Sequence, residues 1–345
     1  MASNTPTLRT SDNLLICNAC GTQYDVTASS NKQDCAICDD PRQFVPPEGQ
    51  TFTTLAKLKE SGHHNVFERD PVNPKVLSIW TEPKAFIGQR AMLLQTPSGN
   101  ILWDMIAFLD QETVDKIHAL GGLSAIVISH PHYYTTYADW SLTFPSVPIY
   151  IGGHDASWLV PRHGTTPPNI HLLTTLHTAI LPHVTAILSG GHFPGSLCLH
   201  WASQLFIADT IFTVPAALNP VPGKPGVISY GFWYSVPNRI PLDAVQVLAV
   251  WRSVRDLEFH TTFGAFRGMD VRTVGNEVER GTGGVKGRML ESCKIFVRAM
   301  MKDGMEEEGA AVREIVKEEI DGTERVVVSS GDAEAPGGME NTFEL

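Results

Sequence analysis

The run "LSAIVIS" at residues 123–129 sets the strongest limit on the fold. An apolar stretch of strand length has to be covered on both faces, which a sheet inside a layered α/β protein provides and a half-exposed hairpin does not. The neighbouring segments agree. "KVLSIWTE", "RAMLLQTP" and "NILWDMI" are strand-like, and the turn chemistry of "TPSGN" predicts a hairpin between the last two. "DQETVDKIHALGG" predicts a helix: Asp110 can cap its start, Val114, Ile117 and Leu120 share a face, and Gly121 can end it. "VPIYIGG", "VTAILSGG", "GSLCLHW" and "QLFIAD" continue the strands, and "GRMLESCKIFVRAMM" is a late helix. Alternating strands and helices predict an α/β fold in layers.

Chemistry gathers where the strands end. The apolar run leads into "SHPHYYTT". Pro131 pushes His130 towards an extended backbone, and on an extended chain residues two apart face the same side, so His130 and His132 can reach one metal. "ILSGGHFPGSLCLHW" places His192 in a glycine-rich turn after another strand, and "QLFIADT" places Asp209 at the end of the next. Three imidazoles and a carboxylate at strand termini form a coherent ligand set for zinc or iron. The other histidines lack such company. His63 and His64 are adjacent loop residues whose side chains diverge, His154 and His163 lie in loops, and His171, His177 and His183 have no matching partners. "GHFPG" lacks the Lys-Ser/Thr of a phosphate-binding loop, and no G-x-S-x-G elbow occurs, which argues against a nucleotide hydrolase and a serine hydrolase.

Four of the six cysteines, Cys17, Cys20, Cys35 and Cys38, form two C-x2-C pairs separated by fourteen residues. Each pair is a tight turn that aims two sulfurs at one point, so two pairs complete a tetrahedral thiolate shell for a structural zinc, with iron as the minor alternative. The segment has too few apolar residues to fold on a core of its own, so metal binding would supply much of its folding energy. "PPEGQTFTTLAKLKESGHH" follows as a connector with a short helix. The net charge of −11 is unevenly spread: from Asp303 onward there are 13 acidic and 3 basic residues, leaving 24 acidic against 23 basic before it. A nearly neutral body with an acidic tail offers no phosphate-neutralising surface, so nucleic acid is not an expected partner. No apolar run reaches the ~18 residues of a membrane span, and the first residues lack the apolar core of a secretory signal. A cytoplasmic location is expected, with the nucleus equally compatible. The expected organisation is a four-cysteine zinc ribbon at 14–48, an α/β domain at 51–302 and an acidic, flexible tail at 303–345.

The order of these motifs resembles the metallo-β-lactamase-fold superfamily over about residues 75 to 300: Asp104 after an early strand, His130 and His132, the "GGH" histidine His192, and Asp209 in "AD". The intervals of 60 residues from His132 to His192 and 17 from His192 to Asp209 suit it too. "IGQRAMLLQTPSGNILWD", "SHPHYYTT" and "GGHFPGS" further resemble an uncharacterised bacterial and fungal branch with an N-terminal Cys-rich ribbon. The resemblance implies an αββα sandwich with metal at one edge and Asp104 supporting the ligand loops by hydrogen bonding. It also exposes departures. The superfamily pattern is H-x-H-x-D-H, and here Tyr134 and Thr135 replace its last two members. The late histidine of a second metal site has no clear equivalent, since "FGAF" occupies that turn and His260 comes a few residues early. The resemblance therefore implies one metal, with Asp209 as a terminal ligand or a hydrogen-bond acceptor.

The function expected on this basis is hydrolysis of a small-molecule ester, lactone, thioester or amide by metal-activated water. Tyr133 or Tyr134 would donate a hydrogen bond to the developing oxyanion or protonate the leaving group, or else simply pack over the site. The alternative is a catalytically inactive binding protein whose metal ties strand ends together, with the ribbon or acidic tail contacting a protein partner. Iron-dependent oxygen chemistry is a third reading of the ligand types. The Pro/Gly/aromatic loop at 221–241, with Phe232, Trp233 and Tyr234, is expected to line the pocket.

Overall fold

The computed structural model describes residues 5–220, 226–273 and 283–300. The tail at 303–345, the last residues of the expected central domain and the start of the 221–241 loop lie outside the described residues. Strands β1 (Leu14–Cys17), β2 (Gln23–Thr27) and β3 (Phe52–Thr53) form a small sheet in the order β2-β1-β3 around the cysteines. Its third strand thus comes from beyond residue 48. Helix α1 (Leu55–Glu60) follows, capped by the Thr54 side chain.

Two large sheets make the body. The first contains β4 (His64–Arg69), β5 (Val76–Glu82), β6 (Arg90–Thr96), β7 (Gly99–Trp103), β8 (Ala125–Val127), β9 (Ile149–Gly152) and β10 (Ile170–Leu173), in the spatial order β10-β9-β8-β7-β6-β5-β4. From β4 to β7 the pairing is antiparallel, including the expected hairpin at 96–100, and from β7 to β10 it is parallel. The second sheet has the order β11-β12-β13-β14-β19-β20, built from β11 (His177–Leu181), β12 (Val184–Leu188), β13 (Leu197–Trp201), β14 (Gln204–Ala208), β19 (Thr261–Gly264) and β20 (Val271–Arg272). Two minor hairpins, β15 (Phe212–Thr213) with β16 (Tyr230–Gly231) and β17 (Trp233–Ser235) with β18 (Ile240–Pro241), border the second sheet in sequence.

The apolar run at 123–129 is covered on both faces. Ala125 and Val127 join Met92, Leu94, Ile101 and Trp103 in a core shared with Leu199, Trp201, Phe206 and Phe263 of the second sheet. Ile126 and Ile128 face the opposite way, into a core with Val114 and Ile117 of α2 (Gln111–Ala119) and Trp140 of α3 (Tyr137–Thr143). Alternate residues of one strand therefore serve two layers. On the far side, α5 (Ala244–Val254) packs on β12. Ser292 of α6 (Gly284–Met300) accepts hydrogen bonds from the Ser229 and Tyr230 amides, while the Tyr230 hydroxyl pairs with Thr262 of β19. The short α4 (Pro215–Leu218) lies between the β15 and β16 strands in sequence. Helix, sheet, sheet, helix is the αββα sandwich.

Among the strands that carry no recognisable pattern in the sequence, three lie at sheet edges. β4, β10 and β11 are edge or near-edge strands with few buried side chains, so burial imposes little apolar pattern on them. His64 accordingly opens a strand rather than lying in a loop, and His171 and His177 sit on β10 and β11.

Candidate metal centre

The C-terminal edges of β7, β8, β12 and β14 converge on one point. After β8, the Ser129 amide donates to Asp104 Oδ1 at 2.7 Å, which fixes the start of the ligand loop. His130 is extended, with φ −167° and ψ 172°. Pro131–Tyr133 is a 3-10 turn, however, not extended chain. Pro131 restricts the residue before it, but its own φ suits the first position of a helical turn. His132 is therefore brought beside His130 by a turn, with ring centroids 5.1 Å apart.

His192 arrives from the second sheet. Gly190 and Gly191 both have positive φ, at 62° and 90°, which turns the chain back over the strand ends. The His192 Nδ1–H donates to the Trp233 carbonyl at 3.1 Å, because a carbonyl can only accept. This leaves the Nε2 lone pair directed at His132 Nδ1, 3.2 Å away. His130 Nδ1 meets Ser129 Oγ at 2.8 Å, and its Nε2 lies 3.3 Å from Asp209 Oδ2. The same carboxylate oxygen is 4.0 Å from His132 Nδ1.

These distances test the fit to a metal. A tetrahedral ion with bonds of ~2.0–2.1 Å to nitrogen and oxygen sets its ligand atoms about 3.3 Å apart. The four donors all lie within 4.8 Å of one another. His130 Nε2, one of the converging atoms, is buried with no hydrogen-bond partner among the described residues, a cost that folding normally avoids. Burial drives the His192 and His132 rings below the usual imidazole range, so they stay neutral and keep their lone pairs. Burial alone would raise Asp209, but the facing His130 and His132 rings outweigh it and hold the carboxyl well below its usual range. Neutral imidazoles and an ionised carboxylate are the donor states a divalent metal requires.

The cysteines pass the same test. Cys17 and Cys38 sulfurs are 3.7 Å apart and those of Cys20 and Cys35 are 3.6 Å apart. A tetrahedron of ~2.3 Å metal–sulfur bonds predicts about 3.8 Å, whereas a disulfide would need ~2.05 Å. Hydrogen bonds from Cys17, Cys20 and Cys38 hold the Cys35 thiol below its ordinary value, and the Tyr24 hydroxyl adds a fourth at 3.1 Å. Among the described residues, these two groups are the ones that can hold a metal.

The remaining expected residues fall as follows. Asp104 has a left-handed backbone, φ 62°, and its Oδ2 has no partner among the described residues. Burial pushes its carboxyl up to about 7. Tyr133 is fully buried, its ring set edge-on to His130 at 5.3 Å and its hydroxyl donating to the Ala265 carbonyl at 2.8 Å. The Tyr134 hydroxyl is buried without a partner among the described residues. His260 is exposed, its amide paired with Ser203, and lies outside the ligand group. Trp233 contributes its carbonyl to His192, and Tyr234 stacks under Arg42 at 4.6 Å.

Several contributors carried no local signal. Phe193 packs on all three imidazoles at centroid distances of 5.9, 5.1 and 5.1 Å. Asp155 Oδ1 accepts from the Gly195 amide at 2.9 Å, tying the His192 loop to the segment after β9. There the backbones touch: a Cβ on Gly152 would lie 1.8 Å from the Gly195 carbonyl oxygen. Gly152→Ala is therefore expected to cost about 1–3 kcal/mol by overpacking and to displace the His192 loop. Thermal unfolding together with a metal titration checks this; unchanged stability and affinity would refute it.

A cavity of about 710 Å³ opens at this same sandwich edge, between the 83–89 loop, Ile106–Ala107, Phe212 and Phe266. Gln89 lines it, and the Gln89 side chain also reaches the His132 carbonyl.

No family model matches the chain. Among solved structures it is similar to the metallo-β-lactamase FIM-1 from Pseudomonas aeruginosa in its mono-zinc form, at 14% identity and TM-score 0.43 over 66% of this chain and 96% of that one. It is also similar to a metallo-β-lactamase from Hirschia baltica, at 11% identity and TM-score 0.43 over 68% and 98% of the two chains. A much nearer relative is the uncharacterized protein YmaE of Bacillus subtilis strain 168, 37% identical over 272 residues, which span 77% of this chain and 93% of YmaE. Agreement of that depth across nearly all of the relative means that this chain belongs to the same family as YmaE.

Proposed function

We propose that the protein is a metal-dependent hydrolase working with a single zinc held by His130, His132, His192 and Asp209, on an ester, lactone, thioester or amide that carries an apolar group. The convergence of these four donors within 4.8 Å of one another carries the reading, two of the separations, 3.2 and 3.3 Å, being those of a tetrahedral ion. The single-metal part rests on what stands beside them: Tyr134 and Thr135 follow His132 and Tyr133, and Ala265 occupies the turn after β19. Bound there, a zinc ion lowers the pKa of a coordinated water and polarises the bond under attack.

The chain's own residues do the rest. The Trp233 carbonyl and Ser129 hydroxyl fix which nitrogen of His192 and His130 faces the centre, a role known to tune metal affinity. Phe193 fills the space against the three rings and keeps bulk water from them. Burial holds the Tyr134 proton in place well above the usual phenol range, so its hydroxyl stays a donor. The Tyr133 hydroxyl is engaged by Ala265, so of the two phenols Tyr134 is the one whose hydroxyl has no partner among the described residues, and its part in the chemistry is what Tyr134→Phe tests. Phe86, Ile87, Phe212 and Phe266 give the neighbouring cavity an apolar wall. A nearly neutral body disfavours phosphodiester substrates, and a cytoplasmic small molecule is the proposed one.

A second reading has its own observation. His130 and His132 are each 2% exposed, His192 0% and Asp209 4%, which suits a metal that ties strand ends together in a non-catalytic binding protein. A panel of nitrophenyl esters, thioesters, lactones and anilides, tested on zinc-loaded full-length protein, separates the two. Turnover of one class is expected, lost in His192→Ala and lowered about a hundredfold in Tyr134→Phe. A zinc-filled centre that turns over none of them would overturn the hydrolase in favour of the binding protein.

A further inference from the structure

The ribbon and the His/Asp centre touch through backbone atoms of their own ligand loops. Gln89, 4% exposed, donates from Nε2 to the carbonyl of Cys20 at 2.6 Å and lies 3.4 Å from the carbonyl of His132. One side-chain amide thus joins a thiolate ligand to an imidazole ligand. Arg42, four residues after Cys38, donates from Nε to the His192 carbonyl at 2.9 Å. Its guanidinium is held by both oxygens of Asp40, at 3.0 and 2.9 Å, and lies over the Phe193 ring at 4.4 Å. The Gln23 amide donates to the Thr135 carbonyl at 3.1 Å, and the Gln23 side chain is locked by Asp139 and Arg162. Both loops that supply imidazoles are therefore braced from the ribbon.

We propose that Gln89 and Arg42 are positioning residues through which the four-cysteine ribbon forms a wall of the His/Asp centre, so that metal in one site raises the affinity of the other. The physical reason is preorganisation. The two imidazole loops come from different sheets, and the His192 loop carries left-handed glycines at 190 and 191, so the ligand geometry depends on what holds the backbone. A ribbon folded on its metal presents Cys20, Gln23 and Arg42 at fixed positions; a ribbon without metal does not. Outer partners of a ligand set commonly change metal affinity about 10–100-fold. Linkage makes the effect reciprocal: the factor by which the ribbon metal tightens the centre is the factor by which the centre's metal tightens the ribbon. The inference rests on metal binding at the centre and not on turnover.

Cobalt titration of the full chain tests it, because four thiolates give an intense sulfur-to-metal charge-transfer band that imidazole and carboxylate ligands do not. The two affinities can then be followed separately by chelator competition. Gln89→Met keeps the side chain's length and removes the donor. It is expected to weaken cobalt binding at the centre about 10–100-fold and at the thiolates by an equal factor. Arg42→Ala should do the same, with partial recovery in Arg42→Lys, which restores a donor to His192. Folding is checked by circular dichroism. A folded variant with a lower melting temperature but both affinities unchanged would show a merely structural role and overturn the coupling. Wild-type protein that fills its thiolates and binds no cobalt at the centre would overturn the coupling and the proposed metal site together, a different result from the first.

Discussion

His132→Ala is expected to leave a folded chain that holds one metal instead of two and has no measurable hydrolysis. His132 is the hinge of the ligand set: its Nδ1 lies 3.2 Å from His192 Nε2 and 4.0 Å from Asp209 Oδ2. Without that ring, His130 stands on the first sheet and His192 and Asp209 on the second, and the imidazole that approaches both of the latter is gone. Losing a ligand exceeds losing an outer partner, so affinity at the centre should fall by more than about 100-fold. The ring is also packed edge-on against Phe193 at 5.1 Å and is 2% exposed, so its removal leaves a cavity worth about 2–4 kcal/mol. Asp209 would keep a buried charge with one facing imidazole fewer. Elemental analysis and thermal unfolding of the variant measure both effects. A metal count unchanged from wild type would mean that His132 is a packed core histidine and that the ligand set is wrong.

How much of this was legible in the sequence follows from where each signal is stored. The strand at 125–127 was legible because burial on two faces writes an apolar residue at every position. The start of α2 was legible because a cap is local: Asp110 accepts from the Thr113 amide at 2.8 Å, three residues on. The four side chains that can hold a metal were legible because each stands in the turn that follows an apolar strand, where a polar side chain is conspicuous. The edge strands β4, β10 and β11 were not, since few of their side chains are buried and burial therefore writes no apolar pattern on them. Nor was the 3-10 turn at 131–133, where the preference of Pro131 itself prevailed over the extended bias it places on His130. Arg42 and Gln89 were invisible for a stronger reason. Their partners lie 150, 69 and 43 residues away, and a polar side chain in a loop carries no mark of a contact at that range. The ribbon looked like a separate module because its cysteines form a self-contained pattern, while its attachment is written in single hydrogen bonds and in scattered apolar contacts such as Ile16 with Phe108 and the cysteine cluster with Trp158.

Cys35→Ser is expected to collapse the ribbon while the sandwich survives. Cys35 is fully buried, its sulfur 3.6 Å from that of Cys20 and bonded by the Tyr24 hydroxyl. Apart from the cysteines, the core around the four sulfurs has only Tyr24 and Ile37 buried, with Ala19, Val26, Phe52, Trp158 and Val160 partly buried against it. At about 25 cal/mol per Å² that apolar area is small, whereas a structural zinc in such a unit supplies about 10–16 kcal/mol. Three thiolates cannot close a tetrahedron, and a serine hydroxyl is a poor substitute for a soft sulfur. The metal should be lost, and residues 14–48 should become a substrate for limited proteolysis. The sandwich has its own cores between and outside the sheets, none of which includes a cysteine of the ribbon, so residues of β5 to β9 should stay protected. Mass spectrometry of the digest reads both at once. A ribbon that resists cleavage in Cys35→Ser would mean that its hydrogen bonds to Asp139, Thr135 and His192 hold it without metal. Cleavage spreading into the strands would mean the reverse, that the sandwich cannot stand without the ribbon as one of its walls.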